Sequence, residues 1–473
     1  MRLTVFQSSE GDCLLLTGAD RKRMLIDGGM NPSYREHVAE TLSALKKLDL
    51  VYVSHIDADH ISGILRMVDD LVEWRVHDFE TKKDGGKKKD KKPPAFPRPP
   101  EIAHIWHNAF HEQVGENAGE IENMLAANAV ILSANANTAG ISAAKQEISN
   151  AVVRVHQNLI TSQAQALELA RRVGAKQLNI PVNQLELNKP LKKPAERKLL
   201  LVREKTKTPI KLGGMSIYII GPFERDLKKL RDEWNTWLRK NSDRLGDIQR
   251  RAKADEDSLV ANEISGIKDS MFAESLNLLD SKVEELEAEA KALGLADKKK
   301  KKLIGRRDKV TTANLASLML LVEEGTGAKK KTLLLTGDGH ATDILKGLAH
   351  YKKLDKAGRM HVDVLKVPHH GAEFNTDHIF CDAVTADHYI FCGNGAHENP
   401  DLDIINMYFD ARMKPGDKRK FKFWFNSNSG AASKAKDRAH MKKIEQLIPK
   451  LEARSGGRMS SEFLTDHSFE FKI

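Results

Sequence analysis

The hexapeptide HIDADH at positions 55–60 holds the side chains best suited to chemistry in this sequence. It places two histidines and two aspartates directly after the largely apolar segment LDLVYVS. Alternate side chains of an extended segment point the same way, so His55 and Asp57 can converge on one metal ion. Asp59 and His60 lie where the next helix begins and can face a second ion. The alternative is a polar turn at a strand end, in which the aspartates only cap the helix.

Two later strand ends carry the same residue types. The apolar run KTLLLTG leads into Asp338, and VDVLKVP leads into His369 and His370. The carboxyl ends of strands are where an α/β sheet collects its ligands. A lone aspartate after a strand is more often a helix cap, but three such sites in one chain favour a shared metal centre.

Strand and helix patterns alternate along the sequence and predict an α/β fold. Strands are expected in LTVFQ, DCLLLTG, KRMLIDGG, LDLVYVSH, EIAHIWH, LLLVREK, PIKLGGMSIYIIGP, NLASLMLLVEE, KTLLLTGD, HVDVLKVPHHG, DHYIFCG, KFKFWFN and SFEFKI. Helices are expected at about 33–47, in ISGILRMVDDL, at 401–412 and at about 434–453.

Two helix-rich segments interrupt this alternation. Residues 115–175 are rich in Ala, Asn, Gln and Glu, and residues 224–295 predict a long helical hairpin that can pair with itself or with a partner protein. The expected parts are the N-terminal half of the core at 1–114, a mostly helical insertion at 115–195, core strands at 196–223, the hairpin insertion with a basic end at 224–310 and the C-terminal half of the core at 311–473.

Two short basic blocks account for the net charge of +10. Segment 82–98 has seven Lys and one Arg against two Asp, and segment 297–309 has six Lys and two Arg against two Asp, so each carries +6. Such blocks are usually solvated loops. The sharper interpretation is contact with a polyanion, for which the backbone of DNA or RNA fits best. The candidate contacts are Lys87, Lys88, Lys89, Lys91, Lys92, Lys299, Lys300, Lys301, Arg306 and Arg307.

Cysteine count and hydropathy exclude several classes of protein. Three cysteines are too few for a disulfide scaffold and favour a reducing compartment. No apolar run reaches 18 residues and the start does not resemble a secretory signal, so we expect a cytoplasmic protein without a membrane partner. No Gly-rich phosphate loop, dinucleotide fingerprint or Ser or Cys nucleophile motif competes with the metal site.

Together these motifs resemble the metallo-β-lactamase-fold hydrolases. LIDGG, SHIDADHISG, LLLTGD and LKVPHHG follow one another in that family's order, over residues 1–60 and about 312–400. They are similar in particular to the soluble metallo-β-lactamase-like domain of ComEC-type DNA-uptake proteins, which NLASLMLLV and FCGNGAHENPD also resemble. The resemblance implies a four-layer αβ/βα sandwich, interrupted by the helical insertions, with a two-metal cleft along one sheet edge.

The resemblance also implies roles for individual residues. The implied ligands are His55 and Asp57 at the first metal site, Asp59, His60 and His369 at the second, and Asp338 as the bridging carboxylate. Asp27 matches a buried acid that supports the loop, and His370 and His397 match additional active-site histidines. Asp59, His370 and His397 are the expected catalytic residues, with a histidine protonating the leaving oxygen.

The sequence departs from the family pattern at two ligands. Asp57 stands where the family usually has a second histidine. The family also supplies a histidine on the strand before Asp338, but here Asn314 or Ser317 occupies the corresponding region. Carboxylates therefore dominate the expected shell of two divalent ions. Manganese suits that shell, magnesium is compatible with it, and zinc is the alternative.

The predicted function is that of a metal-dependent hydrolase, a phosphodiesterase or nuclease that acts on DNA or RNA through two metal ions. A fold does not fix its substrate, so a small ester, lactone or nucleotide is an alternative substrate. The chain could also be a non-catalytic nucleic-acid-binding subunit. Alternatively, a partner protein docked on the 224–295 hairpin could regulate it, as in a defence- or toxin-like module.

Overall fold

The computed structural model describes residues 1–81, 92–108, 165–166, 168–188, 199–232 and 304–473. Nearly all of them belong to one compact unit built from three chain segments, Met1–Ala109, Glu168–Lys228 and Leu303–Ile473. The second unit, Phe110–Leu167 and Lys229–Lys302, lies almost entirely outside the described residues. Most of the two predicted helical insertions lies outside them as well.

The described residues form sixteen strands, most of them in two sheets. In chain order they are β1 Arg2–Phe6, β2 Leu14–Thr17, β3 Arg23–Ile26, β4 Lys47–Leu48, β5 Leu50–Tyr52, β6 Glu101–Ile102, β7 Ile105–Trp106, β8 Ile210–Leu212, β9 Met215–Gly221, β10 Met319–Glu324, β11 Lys331–Leu335, β12 Met360–Lys366, β13 Val384–Phe391, β14 Phe421–Phe425, β15 Met459–Phe463 and β16 Ser468–Lys472. The six-stranded sheet has the order β16-β1-β2-β3-β5-β7, and the eight-stranded sheet has the order β15-β14-β13-β12-β11-β10-β9-β8. β4 and β6 form a separate parallel pair.

Five longer helices accompany the sheets. They are α1 Ala58–Thr81, α2 Ala341–His350, α3 His378–Ala383, α4 Leu402–Arg412 and α5 Ala435–Arg454. Shorter helical pieces are Asn31–Ser33, Tyr34–Val38, Ala39–Ser43, Arg307–Lys309, Thr312–Leu315, Gly327–Lys329, Pro368–Gly371 and Ala396–Glu398. Among the described residues, no helix is both long and apolar enough to cross a membrane.

The strands that precede the predicted ligands run parallel to their neighbours. β3, β5 and β7 are parallel in the six-stranded sheet, with Leu25 opposite Val51. β11, β12, β13 and β14 are parallel in the eight-stranded sheet, with Leu334 opposite Leu365. Parallel neighbours end at the same edge of their sheet, so the loops that follow them are brought together there.

Two apolar cores hold these layers. Leu320 and Val322 of β10 face a core shared with the six-stranded sheet, whereas Met319 and Leu321 face the opposite side. This alternation follows from the two-residue repeat of a strand. The sequence of β10 is apolar at consecutive positions because both faces of the sheet are covered there. On the opposite side the cover consists of apolar side chains from α2, α3, α4 and α5.

The predicted α/β class is confirmed by the mixture of sheets and helices. The strand expected in LLLVREK is wrong, because residues 199–205 form no strand. Val202 only donates a single hydrogen bond to the carbonyl of Pro222, at 2.9 Å. The helix expected at 33–47 is present as the contiguous pieces Asn31–Ser33, Tyr34–Val38 and Ala39–Ser43, so it begins slightly earlier than expected and ends four residues earlier, at Ser43. β15 was not expected, because its sequence MSSEF has little apolar alternation.

Candidate metal centre

The loops at one edge of the sheets bring acids and imidazoles together. HIDADH follows β5 and enters α1, Asp338 follows β11, and the histidine pair follows β12. Asp12 joins them from the loop between β1 and β2. One side-chain atom each of Asp12, His60, Asp338 and His370 lies within 4.8 Å of the others, and all four residues are buried. This cluster could hold a metal ion.

Around His60, side-chain atoms of four candidate ligands lie close together; we call Asp59, His60, His370 and Asp338 the His60 group. The Nε2 atom of His60 lies 3.5 Å from Asp59 Oδ2, 3.4 Å from His370 Nε2 and 3.4 Å from Asp338 Oδ1. His370 Nε2 lies 3.1 Å from Asp59 Oδ2 and 3.4 Å from Asp338 Oδ2. Ligand bonds of about 2.1 Å in a tetrahedral site separate neighbouring ligand atoms by about 3.4 Å, so this group fits one cation.

A second set of ligand atoms also meets Asp338; we call His55, Asp57, His369 and Asp338 the His55 group. Asp338 Oδ2 lies 3.6 Å from His55 Nε2 and 3.5 Å from His369 Nε2, and Asp57 Oδ2 lies 3.5 Å from His55 Nε2. His55 Nε2 and Asp338 Oδ1 are buried and have no hydrogen-bond partner among the described residues. Orphaned buried polar atoms are rare in folded proteins, and a bound cation would account for both.

Two buried carboxylates orient imidazoles of the His60 group. Asp27 Oδ2 lies 3.0 Å from His60 Nδ1, and the Asp27 carboxylate also accepts hydrogen bonds from the backbone and hydroxyl of Ser54, both at 2.7 Å. Asp12 Oδ1 lies 3.2 Å from His370 Nδ1, an ion-pair contact that falls outside hydrogen-bond geometry. A carboxylate at Nδ1 fixes the ring so that Nε2 faces the ligand position. Asp12 therefore lies behind the imidazoles, although it is close enough to be counted with the cluster.

A buried lysine, Lys366 of β12, adds a positive charge beside the centre. Its side chain is 1% exposed, forms an ion pair with Asp12 and donates a hydrogen bond to the carbonyl of Gly337 at 3.1 Å. Its ammonium lies 3.7 Å from Asp338 Oδ1. Burial alone would lower the pKa of Lys366, but Asp12 and Asp338 outweigh burial and raise that pKa, so the lysine is charged.

The carboxylates also determine the proton content of the imidazoles. Burial lowers the pKa of His60 and His370, but the surrounding aspartates outweigh it and hold both pKa values well above the ordinary range. For His369, burial outweighs the attraction of Asp338, and the pKa is lowered. The aspartates therefore favour the protonated imidazoles of His60 and His370, and a cation would compete with those protons.

The adjacent histidines lie differently from the places implied by the resemblance, which made His369 a second-site ligand and His370 an additional active-site histidine. His370 Nε2 lies in the His60 group, whereas His369 Nε2 lies beside Asp338 and 3.4 Å from Asn314 Nδ2. The backbone has positive φ at both residues, 44° at His369 and 56° at His370. This left-handed turn costs free energy, of order 1–3 kcal/mol per residue, and directs consecutive rings into different ligand groups.

The remaining predicted site residues are more dispersed. His397 is exposed on the turn Ala396–Glu398 that follows β13, and Lys92 is exposed. Arg306 pairs with Asp308 at 2.6 Å. Arg307 forms ion pairs with two aspartates of the core and is held by the fold. Lys87, Lys88, Lys89, Lys91, Lys299, Lys300 and Lys301 lie outside the described residues, as does the hairpin beyond residue 232, although residues 224–232 are helical.

Asp12 and Lys366 were missed by sequence reasoning. Asp12 stands in SSEGDC, which has no metal-ligand spacing. The glycine before it, Gly11, is the one sequence feature that points to this loop. A Cβ atom at Gly11 would overlap the backbone carbonyl of Asp59, and glycine permits that close approach. Lys366 stands two residues after Val364, which faces the core between the sheets, so strand alternation directs the lysine inward as well.

No protein-family model matches the chain, and the search of curated proteins found no match.

Proposed function

We propose that this protein is a two-metal hydrolase with a metallo-β-lactamase-like four-layer αβ/βα sandwich, and that it cleaves phosphodiesters in DNA or RNA in the cytoplasm. The observation that carries the proposal is the pair of ligand groups that share Asp338 at the strand ends. In this scheme one cation lies in the His60 group and the other in the His55 group.

Charge balance supports two cations rather than one. The five carboxylates of the centre are those of Asp12, Asp27, Asp57, Asp59 and Asp338, and the one buried ammonium is that of Lys366. Once metal binding has displaced the protons of His60 and His370, these groups carry a net charge of −4, which two divalent ions would cancel. A buried charge of that size is costly unless it is compensated. The mixture of imidazole and carboxylate ligands suits Mn²⁺ or Zn²⁺, with Mg²⁺ a weaker fit.

When bound, the two cations would activate a water molecule and neutralise charge that develops on the phosphoryl oxygens. The protein's own residues have separate tasks. Asp27 and Asp12 orient imidazoles, and Lys366 compensates the charge of Asp12. His397 follows β13 at the strand edge where the ligands lie, and its exposure suits a proton donor to the leaving oxygen.

Two features favour a large anionic substrate. The side chains of Asp57 and Asp59 are 31% and 23% exposed, whereas those of His55 and His60 are 2% or less, so the centre opens to solvent on its carboxylate side. The basic blocks 82–98 and 297–309 supply positive charge suited to a phosphate backbone, while the rest of the chain is nearly neutral.

The test is a metal add-back assay on chelator-stripped protein with Mn²⁺, Zn²⁺ and Mg²⁺. The substrates are plasmid DNA, single-stranded RNA, a chromogenic phosphodiester and a chromogenic ester. We expect Mn²⁺ to restore cleavage of nucleic acid and of the phosphodiester. Asp338→Asn should lower turnover at least about 100-fold and reduce bound metal, because it removes the shared carboxylate.

The matched control is Asp410→Asn, which changes an exposed aspartate on α4 and should behave as wild type. Hydrolysis of the ester alone would favour the small-substrate alternative. A protein that binds no metal and cleaves none of the four substrates would contradict the proposed function and leave the non-catalytic alternative.

A further inference from the structure

Asn314 is a buried residue with an unsatisfied oxygen beside the His55 group. It lies on the single helical turn Thr312–Leu315 and is 3% exposed. Its backbone is fixed on both sides, since its N–H donates to the hydroxyl of Thr311 at 3.2 Å and its carbonyl accepts from Ser317 N–H at 3.0 Å. Its Oδ1 atom is buried and has no hydrogen-bond partner among the described residues.

The carboxamide of Asn314 faces a nitrogen lone pair of His369. Asn375 Nδ2 donates to the carbonyls of Asp338 and Gly339, at 2.7 and 3.4 Å, so its Oδ1 is the atom presented to His369 Nδ1 at 2.7 Å. His369 Nδ1 must therefore carry the proton, and its Nε2 carries the lone pair. Asn314 Nδ2 lies 3.4 Å from that lone pair.

We propose that Asn314 is itself a metal ligand, whose carboxamide oxygen completes the His55 group. The inference rests on the proposed function and extends it to a residue where the resembled family has a histidine. A cation bound to His369 Nε2 would repel the Asn314 N–H group that now faces this atom. A half-turn of the carboxamide exchanges Oδ1 with Nδ2, and this brings the unsatisfied oxygen to the ligand position.

An amide oxygen changes the preference of the His55 group. Carboxylate and carbonyl oxygens favour hard ions such as Mn²⁺ and Mg²⁺, whereas imidazole favours Zn²⁺. With Asn314 in place of histidine, this position has an additional oxygen donor, and its affinity for Mn²⁺ relative to Zn²⁺ should be higher than a histidine there would give. The His60 group has no additional amide oxygen besides its two carboxylates, so it should discriminate less between Mn²⁺ and Zn²⁺.

The experiment measures metal binding rather than turnover. Metal-free wild type and Asn314→Ala, Asn314→Asp and Asn314→His variants are titrated with Mn²⁺, with free Mn²⁺ followed by electron paramagnetic resonance, and with Zn²⁺ against a chromophoric chelator. We expect two Mn²⁺ per wild-type chain. Asn314→Ala should keep one and bind the other about 10- to 100-fold more weakly. Asn314→Asp should keep both, and Asn314→His should shift the preference of the weaker position towards Zn²⁺.

The matched control is Asn406→Ala, which removes an amide that donates to the Leu402 carbonyl within α4, away from both ligand groups. It should bind both metals as wild type does. If wild type binds two ions and Asn314→Ala binds both with unchanged affinity, Asn314 is only a hydrogen-bond partner of His369 and the inference is wrong. If wild type binds no metal, the proposed function itself fails. Should Asn314→Ala not fold, unchanged metal preference in Asn314→His overturns the inference instead.

Discussion

Lys366 is a cation buried beside a centre proposed to bind cations, so it should affect stability and metal affinity in opposite directions. In the metal-free protein it compensates Asp12, which is 1% exposed. Burial raises the pKa of Asp12, but the charge of Lys366 and the neighbouring imidazoles lower it more. The resulting pKa is about 2, so Asp12 is ionised at neutral pH. The same positive charge, 3.7 Å from Asp338, opposes any bound metal.

Lys366→Met should therefore destabilise the metal-free protein and tighten metal binding. Loss of one partner of a buried ion pair costs about 3–5 kcal/mol, because it leaves the other charge uncompensated. Urea unfolding with and without Mn²⁺ measures both effects, and Mn²⁺ should stabilise this variant more than wild type.

Asp12→Asn provides the opposite case, since it removes a negative charge and the carboxylate that orients His370. Metal affinity should fall by about 10- to 100-fold. Equal losses of affinity in Lys366→Met and Asp12→Asn would contradict the electrostatic role of the lysine and leave it only a packing role.

The candidate ligands could be predicted where residue type and strand position coincide. Asp338 and the histidine pair follow apolar strands, and HIDADH has metal-ligand spacing. Asp12, Lys366 and Asn314 could not be identified in the same way, because an isolated Asp, Lys or Asn is common on surfaces. Only the tertiary packing shows that these three side chains are buried, with Asp12 paired to Lys366 and Asn314 beside His369.

At the scale of elements, the start of α1 is joined closely to the loop after β3. The backbone N–H of Gly28 donates to the His60 carbonyl at 2.8 Å, and that of Gly63 donates to the Gly29 carbonyl at 3.0 Å. A Cβ atom at Gly63 would overlap the carbonyl oxygen of Gly28. This contact positions the first turn of α1, which carries Asp59 and His60.

Gly63→Ala should displace that turn. In an exposed helix the change would stabilise by up to about 1 kcal/mol, because alanine is the better helix former. Here overlap with backbone should reverse the sign and destabilise by about 1–3 kcal/mol. Thermal unfolding and Mn²⁺ titration measure the effect, and Mn²⁺ affinity should fall as well. Gly214→Ala is the control, since its Cβ would meet only Glu324 Oε1 at an ordinary 3.6 Å. Wild-type stability of Gly63→Ala would show that α1 can shift freely.

The sequence predicted most strands and helices but not their exact ends. Apolar runs such as those of β10 and β11 were recognised because both faces of the eight-stranded sheet are buried. α1 begins at Ala58, earlier than ISGILRMVDDL suggested, so Asp59 and His60 lie within its first turn. Helix starts are set by such local contacts, which hydrophobic periodicity does not report.

At the scale of the whole molecule, ion pairs close the base of the second insertion. Residues 233–303, which make up most of this insertion, lie outside the described residues. Arg307 pairs with Asp226 at 2.6 Å and with Asp343 at 2.8 Å, and Arg225 also pairs with Asp343. Both aspartates are buried. The two ends of the insertion are therefore held side by side by residues of the compact unit itself.

Replacement of residues 233–303 by a short Gly/Ser linker should accordingly preserve folding, metal binding and hydrolysis of a small phosphodiester. It should weaken polynucleotide binding, because it removes the five lysines at 298–302. Each lost phosphate contact flattens the slope of log affinity against log salt by about 0.9, so five contacts would flatten it by about 4–5. Binding to duplex DNA at several salt concentrations measures this slope.

The full-length chain with those five lysines changed to Ser is the matched comparison and should show the same flattening. An unchanged slope in both proteins would make the block a solvated loop, and a linker variant that does not fold would make the insertion part of the core.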